Sequence, residues 1–318
     1  MRITPRRLVV VGSALVDILL YVDALPPWGS ASLASSWLAT TGGAFNLLVA
    51  AARSGLAAAY GGLVGDGSFG HQIARDFGRQ GVAQLIAPVT GKDSGFDVGF
   101  IGPDGETTFI VAPGVESQLT PEDLGHLPLR PGDAIYISGY DLTYEVSGAS
   151  LASWIPGLGS ELLVVFDPGP LIESIAPARL AAVLARTDVL SLNARESALL
   201  SGTDDVERAC LKVSSRVPAR GLVVSRNGGQ GCYLCSPGNS PLLVPPRPAR
   251  VTDTTGAGDT HTAVLLAGLG HGEDVVAAAL RANVAASLSV EKVGPTSAPT
   301  GAEVQAALND FREHLAER

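Results

Sequence analysis

The sequence predicts an α/β fold of three α/β/α layers: a mostly parallel sheet covered by helices on both faces, with a small β-sheet lying over it as a lid. Three observations carry this. Apolar, β-branched runs alternate with Ala/Leu-rich stretches of helical length, the pattern of a parallel sheet built from strand and helix units. Glycine accounts for 38 of 318 residues, about 12% against a usual 7% or so, with no three-residue period, so tight turns are implied and collagen or low-complexity linkers are excluded. Two stretches, 18–41 and 94–112, break the alternation.

In chain order the expected strands are 8–11, 58–64, 134–138, 162–167, 189–193 and 221–225. The expected helices are 45–55, 69–81, 177–185, 259–268, 274–288 and 301–317. Between Gly95-Phe-Asp-Val-Gly-Phe-Ile-Gly and Glu106-Thr-Thr-Phe-Ile-Val, the sequence Pro103-Asp104-Gly105 reads as the turn of a hairpin. Strands set apart from the main rhythm suit a small antiparallel sheet over the ligand crevice. With no internal repeat and no long linker, 1–318 reads as a single domain with lid segments at approximately 18–41 and 94–112.

Composition narrows the function. With 46% hydrophobic residues at this length, the chain has ample material for a core, so disorder and small disulfide scaffolds are excluded. Net charge is −9 and no basic run exceeds Arg6-Arg7, which argues against a nucleic-acid face or an anionic membrane. Any phosphate must be held locally. Three cysteines are too few for a disulfide framework, and a cytoplasmic location is expected. Arg2, Arg6 and Arg7 before the apolar run Leu8 to Val16 imitate a secretory signal, but Asp17 interrupts it and a first buried strand is expected instead. No segment reaches the roughly 18 uninterrupted apolar residues of a membrane span.

The most informative segment is Asp253-Thr-Thr-Gly-Ala-Gly-Asp259, which runs directly into an apolar helix. Glycines opening a helix let backbone N–H groups converge on an anion, and the helix dipole adds to the attraction. A carboxylate at the same place suits a base that takes a proton from a hydroxyl attacking phosphorus. On chemistry alone, Asp259 serves equally well as a plain helix cap.

That segment resembles the C-terminal signature of the ribokinase family, the PfkB-type carbohydrate kinases. Thr41-Gly42-Gly43-Ala44-Phe45-Asn46, continuing into an Ala-rich helix that ends at Gly55, is similar to the N-terminal signature, with one residue fewer between glycines and asparagine than many members have. Further matches follow in family order: Gly12-Ser-Ala-Leu-Val-Asp17, Asn193-Ala-Arg-Glu196, Ser225-Arg-Asn-Gly228-Gly-Gln-Gly231 and Asn283. The resemblance implies a Rossmann-like (ribokinase-like) fold and an ATP- and magnesium-dependent phosphotransferase acting on an alcohol of a small sugar. It implies Asp259 as catalytic base, with amides of Gly256, Ala257 and Gly258 as anion hole. Asp17, Gly42, Gly43 and Asn46 are implied to hold the substrate; Asn193 and Glu196 to organise magnesium through water; Ser225, Gly228, Gly231 and Asn283 to bind the nucleotide. Asp253 and Thr255, with carbonyls near Ser289, Lys292 and Gly294, resemble a monovalent-cation (K+) loop. A homodimer is implied as well.

Read from the residues alone, Asp17 at a strand end is placed as a ligand residue or as a turn acid. Gly42-Gly43 admits a ligand or makes a plain turn, Asn46 is a ligand contact or a local hydrogen-bonder, and Asn193 with Glu196 shares one helix face as many surface pairs do. Asp141 in Gly139-Tyr-Asp-Leu-Thr-Tyr144 is a sugar contact or a plain loop acid. Few cations fall near these motifs, which disfavours a phosphorylated acceptor. Gly65-Asp-Gly67-Ser-Phe-Gly70, with Asp93 beyond it, also fits a dinucleotide fingerprint, but Asp66 would repel a pyrophosphate. Cys232-Tyr-Leu-Cys235 lacks a second ligand pair and reads as structural. A nucleoside kinase, or a sugar- or nucleotide-binding regulator without chemistry, shares the same motifs.

Overall fold

The computed structural model describes residues 4–103, 107–294 and 297–316. The strands in chain order are β1 (Arg7–Val10), β2 (Ala14–Tyr21), β3 (Ser36–Gly43), β4 (Ala57–Tyr60), β5 (Ala83–Gln84), β6 (Phe96–Ile101) and β7 (Thr107–Ala112), then β8 (Asp133–Ser138), β9 (Leu163–Asp167), β10 (Val189–Asn193), β11 (Leu222–Arg226), β12 (Cys232–Cys235) and β13 (Leu242–Val244). Nine of them form one sheet in the order β13-β12-β11-β10-β9-β8-β1-β4-β5. From β11 to β5 all pairs are parallel, while β12 and β13 add antiparallel at one edge.

Helices bury both faces of this sheet, which is why its strands read as continuous apolar runs. Side chains alternate between two cores: Leu8 and Val10 of β1 enter one, Val9 and Val11 the other. Cys232 and Cys235 separate in the same way, and all three cysteines are free and buried. The expected strand 58–64 stops at Tyr60 because Gly61 and Gly62 turn there, with the Gly62 α-carbon packed on the Gly12 carbonyl. Among the described residues, no helix is long and apolar enough to cross a membrane.

The two stretches that broke the rhythm form the second sheet, in the order β3-β2-β6-β7. It is not wholly antiparallel: β2 and β6 run parallel, between antiparallel neighbours β3 and β7. Asp104, Gly105 and Glu106, between β6 and β7, lie outside the described residues. Glu116 fastens this sheet at its root, its carboxylate accepting from the amides of Gly95 (2.8 Å) and Gly114 (2.6 Å) on either side of the β6–β7 pair.

The dinucleotide-like glycines have a different use. Asp93 accepts from the amides of Phe69, Gly70 and Ser94, so a carboxylate already occupies the helix start where a pyrophosphate would sit. Asp66, to which the sequence assigned the repulsion, instead accepts from the Gly91 amide.

Candidate active site

Two cavities open at the carboxyl ends of the parallel strands, the position where open α/β sheets take ligands. Between them stands the start of the helix Ala257–Gly270. Gly256 and Asp259 line one cavity, Ala257 and Gly258 the other. Gly256 turns the chain into this helix at φ 74°, a left-handed conformation that favours glycine. No side chain caps the helix. Of the three amides expected to face an anion, that of Ala257 turns back to the Thr254 carbonyl (3.2 Å), leaving those of Gly256 and Gly258 for the purpose.

The first cavity has a volume of about 230 Å³ and lies under the second sheet. Its polar wall includes Asp17 of β2, Asp97 of β6, Asn46, Asp141 and Asp259, with hydroxyl side chains such as Ser138, Tyr140 and Tyr144 beside them. The β2–β6 register sets Asp17 directly opposite Asp97, and their carboxyl groups are in hydrogen-bond contact. Burial pushes both carboxyls up, Asp17 further through the charges of Asp97 and Asp259. Gly43, at φ 59°, is on the cavity wall. Gly42 is not; it sits behind, its α-carbon against the Asp17 carboxyl in space a Cβ would fill. Asp141 is buried and accepts from Ser13 Oγ (2.6 Å), and burial lifts it to about 7.

Asp259 faces the same cavity. Burial and the neighbouring Asp167 raise it to about 7, against the opposing pull of Arg226 and a hydrogen bond from the Asn46 side chain. Near neutrality such a carboxyl exchanges a proton readily, which suits a general base.

The second cavity, about 710 Å³, is bounded by the turn Gly228–Gly231, the helix start at Gly258, and apolar positions such as Ala286 and Val290. Arg226 projects along its wall and ties the strand ends together: Nη2 pairs with Asp167 (2.9 Å) and approaches Glu196 (3.7 Å), while Nε donates to the Leu192 carbonyl (3.2 Å). Its Nη1 packs on the Gly258 α-carbon and is buried without an acceptor among the described residues. A buried guanidinium N–H beside two helix-start amides, all three without a partner among the described residues, fits a phosphate oxygen. The residues therefore suit a nucleotide: an apolar wall for a base, glycines for close approach and a cation at the phosphates.

Sequence reading named Ser225 on this strand, yet Ser225 is fully buried, bonded by Ser197 Oγ (3.1 Å), and its neighbour faces the cavity. Asn193 and Glu196 form a reciprocal capping box at the helix Ala194–Ser201. Asn283 lines the cavity with its polar atoms committed to protein: Nδ2 donates to the carbonyls of Val244 and Pro245, and Oδ1 meets His261 Nε2. His261 Nδ1 is left without a partner among the described residues, and burial, then Arg226, lowers this imidazole to about 3, so it is neutral. Asp253 accepts from the amides of Thr255 and Gly294 (both 2.9 Å), tying together the two loops named for the monovalent cation, while Thr255 lines the first cavity. Among the described residues, no three His, Cys, Asp or Glu side chains cluster to hold a metal. Magnesium at Glu196 therefore fits only as an ion held mainly by phosphate and water.

Asp97, Asp167 and Arg226 were missed from the sequence. Asp167 ends an expected strand and Arg226 adjoins a named residue, so position alone could have raised both.

The sequence profile described as pfkB family carbohydrate kinase matches residues 5–301. The chain belongs to that family. It is 31% identical over 314 residues to the uncharacterized sugar kinase YegV of Escherichia coli, covering 95% of this chain and 94% of that protein. It is 29% identical over 312 residues to the ribokinase of Bacillus subtilis, covering 96% and 100%. The crystal structure of a nucleoside kinase from Methanocaldococcus jannaschii superposes with a TM-score of 0.80 at 20% identity, covering 96% of this chain and 99% of that one. The protein is thus a carbohydrate kinase of that family, and the structural likeness shows the three-layer α/β/α fold.

Proposed function

We propose that this kinase transfers the γ-phosphoryl group of ATP to a hydroxyl of a small sugar or sugar-like alcohol held in the first cavity. The observation that carries this is the placement of Asp259 at the helix start that separates the two cavities. Asp259 takes the hydroxyl proton, while the Asn46 side chain fixes the carboxylate toward the acceptor. The amides of Gly256 and Gly258, with Arg226 behind them, face the negative charge that accumulates at the wall. ATP supplies the phosphoryl group, and magnesium, which Glu196 would hold through water, would screen the phosphate charge. At about 230 Å³ the acceptor cavity is below the low end of drug-sized pockets, which favours a single sugar ring over a nucleoside.

The test is acceptor-dependent ADP formation across sugars, amino sugars, sugar acids and nucleosides with magnesium and ATP. A monosaccharide-sized alcohol turned over ahead of every nucleoside is the expected result. Absence of acceptor-dependent ADP throughout overturns the reading.

In the same assay Gly42→Ala is expected to raise the acceptor KM by on the order of tenfold or more, the worth of a hydrogen bond to a charged group. The new Cβ displaces the Asp17 carboxyl without reaching the nucleotide cavity, so the KM for ATP is expected to hold. Equal loss for both substrates would show that Gly42 supports the fold rather than the acceptor.

A further inference from the structure

The first cavity has an unusual charge balance. Of the described residues that line it, Asp17, Asp97, Asp141 and Asp259 are acidic, and no lysine, arginine or histidine is among them. Two of the four are forced together by backbone pairing, because Asp17 and Asp97 are register partners on parallel strands and present their side chains to the same face. Like charges placed directly opposite destabilise a sheet unless something resolves them. Asp97 is 8% exposed, and its Oδ1 has no N–H or hydroxyl donor among the described residues. The contact between the two carboxyls therefore requires a proton, or a cation, from elsewhere.

A second, separate observation points the same way. Asn46 comes from a different element, lines the same cavity and is 7% exposed; with its Nδ2 given to Asp259, its Oδ1 is left buried without a donor among the described residues. The cavity thus presents acceptor oxygens that the fold leaves unsatisfied, where buried polar atoms are normally paired. A carboxylate or phosphate on the acceptor would add negative charge and still more lone pairs. A neutral hydroxyl brings one donor and leaves the acid pair needing its proton. An ammonium group brings three donors, no acceptor and a positive charge, and it takes the place of the shared proton between Asp17 and Asp97.

We propose that the acceptor is an alcohol that also carries a protonated amine, and that Asp17 and Asp97 together form its ammonium site. This rests on the reading of the first cavity as the acceptor site. Asp97 is then the residue that sets selectivity: Asp17 alone serves a hydroxyl, whereas the second carboxyl, from the neighbouring strand β6, selects for the cation.

The experiment compares kcat/KM for matched acceptors that differ at one group: an amino-deoxy sugar, its parent hydroxyl sugar and the corresponding uronate, in several ring configurations. The wild-type protein is expected to prefer the amine over its parent by on the order of tenfold or more, as for a charge-assisted against a neutral hydrogen bond, and to turn over no uronate. Asp97→Asn is expected to bring the amine and the parent within about threefold of each other. The ratio within one variant is the readout, because general damage to the fold lowers both rates together. Calorimetric binding of the amine and its parent to the wild-type protein gives the same comparison without a variant. A wild-type preference for the parent sugar, or a ratio that Asp97→Asn does not move, overturns the ammonium site while leaving the kinase reading intact. No acceptor-dependent ADP with any sugar or nucleoside overturns both.

Discussion

Asp259→Asn is expected to lower turnover at least about 10²-fold while KM for ATP and for the acceptor stays within a few-fold. The amide keeps the shape of the carboxyl and its contact with Asn46 but cannot take a proton. In the wild-type protein, kcat/KM is expected to rise with pH and level off above about 7, because burial and Asp167 hold the Asp259 carboxyl there and only the ionised form is a base. That limb is expected to vanish in the variant. Stability provides a second readout whose sign can be worked out. The folded-state value, about 7, lies above the ordinary 3.8, so between them the folded protein holds a proton that the unfolded chain has released. Stability is therefore lost through this group as pH rises across that window. A side-chain amide does not titrate there, so the variant is expected to melt above the wild type, by a margin that widens as pH rises through the same window. Near-normal turnover in the variant would remove Asp259 from the chemistry.

Arg226→Met is expected to cause a comparable loss by a different route. Removing the guanidinium leaves the Asp167 carboxylate without its ion-pair partner and takes from Glu196 one of its two neighbouring cations, and breaking one side of a buried pair costs about 3–5 kcal/mol. It also takes away the positive charge beside the Gly258 amide, for which a fall in turnover of about 10²–10³ is expected. Adding Asp167→Asn separates the two effects. The double variant no longer buries the unpaired Asp167 charge and is expected to regain most of the melting temperature, while turnover stays low. Turnover restored along with stability would show that Arg226 acts only as a strut.

The main sheet was legible because burial on both faces leaves an unbroken apolar run at each strand, and the boundaries at 134–138 and 189–193 fall within a residue of β8 and β10. The lid was legible only as an interruption. Its strand order depends on pairing β2 with β6, some 80 positions apart, which no local pattern encodes. For that reason Asp17 could be named and Asp97 could not. Parity explains Arg226: Ser225 and Arg226 are adjacent on one strand and face opposite ways, so a step of one residue moves a side chain from core to cavity. The dinucleotide reading is rightly set aside but for a different reason than Asp66, since a glycine pattern says that a helix start is open but not that Asp93, from further along the chain, already fills it.

Glu116 holds the β6–β7 pair at one point, through Gly95 and Gly114. Of the side chains that line the acceptor cavity, Asp97, Phe109 and Val111 belong to that pair, whereas Asp259, Arg226 and Asp167 belong to the main sheet and its helices. On the proposed reading, one part of the acceptor wall and the chemistry at phosphorus are therefore carried by separately anchored pieces of chain. Exchange of that one hairpin would reshape this part of the acceptor wall while leaving Asp259, Arg226 and Asp167 where they stand.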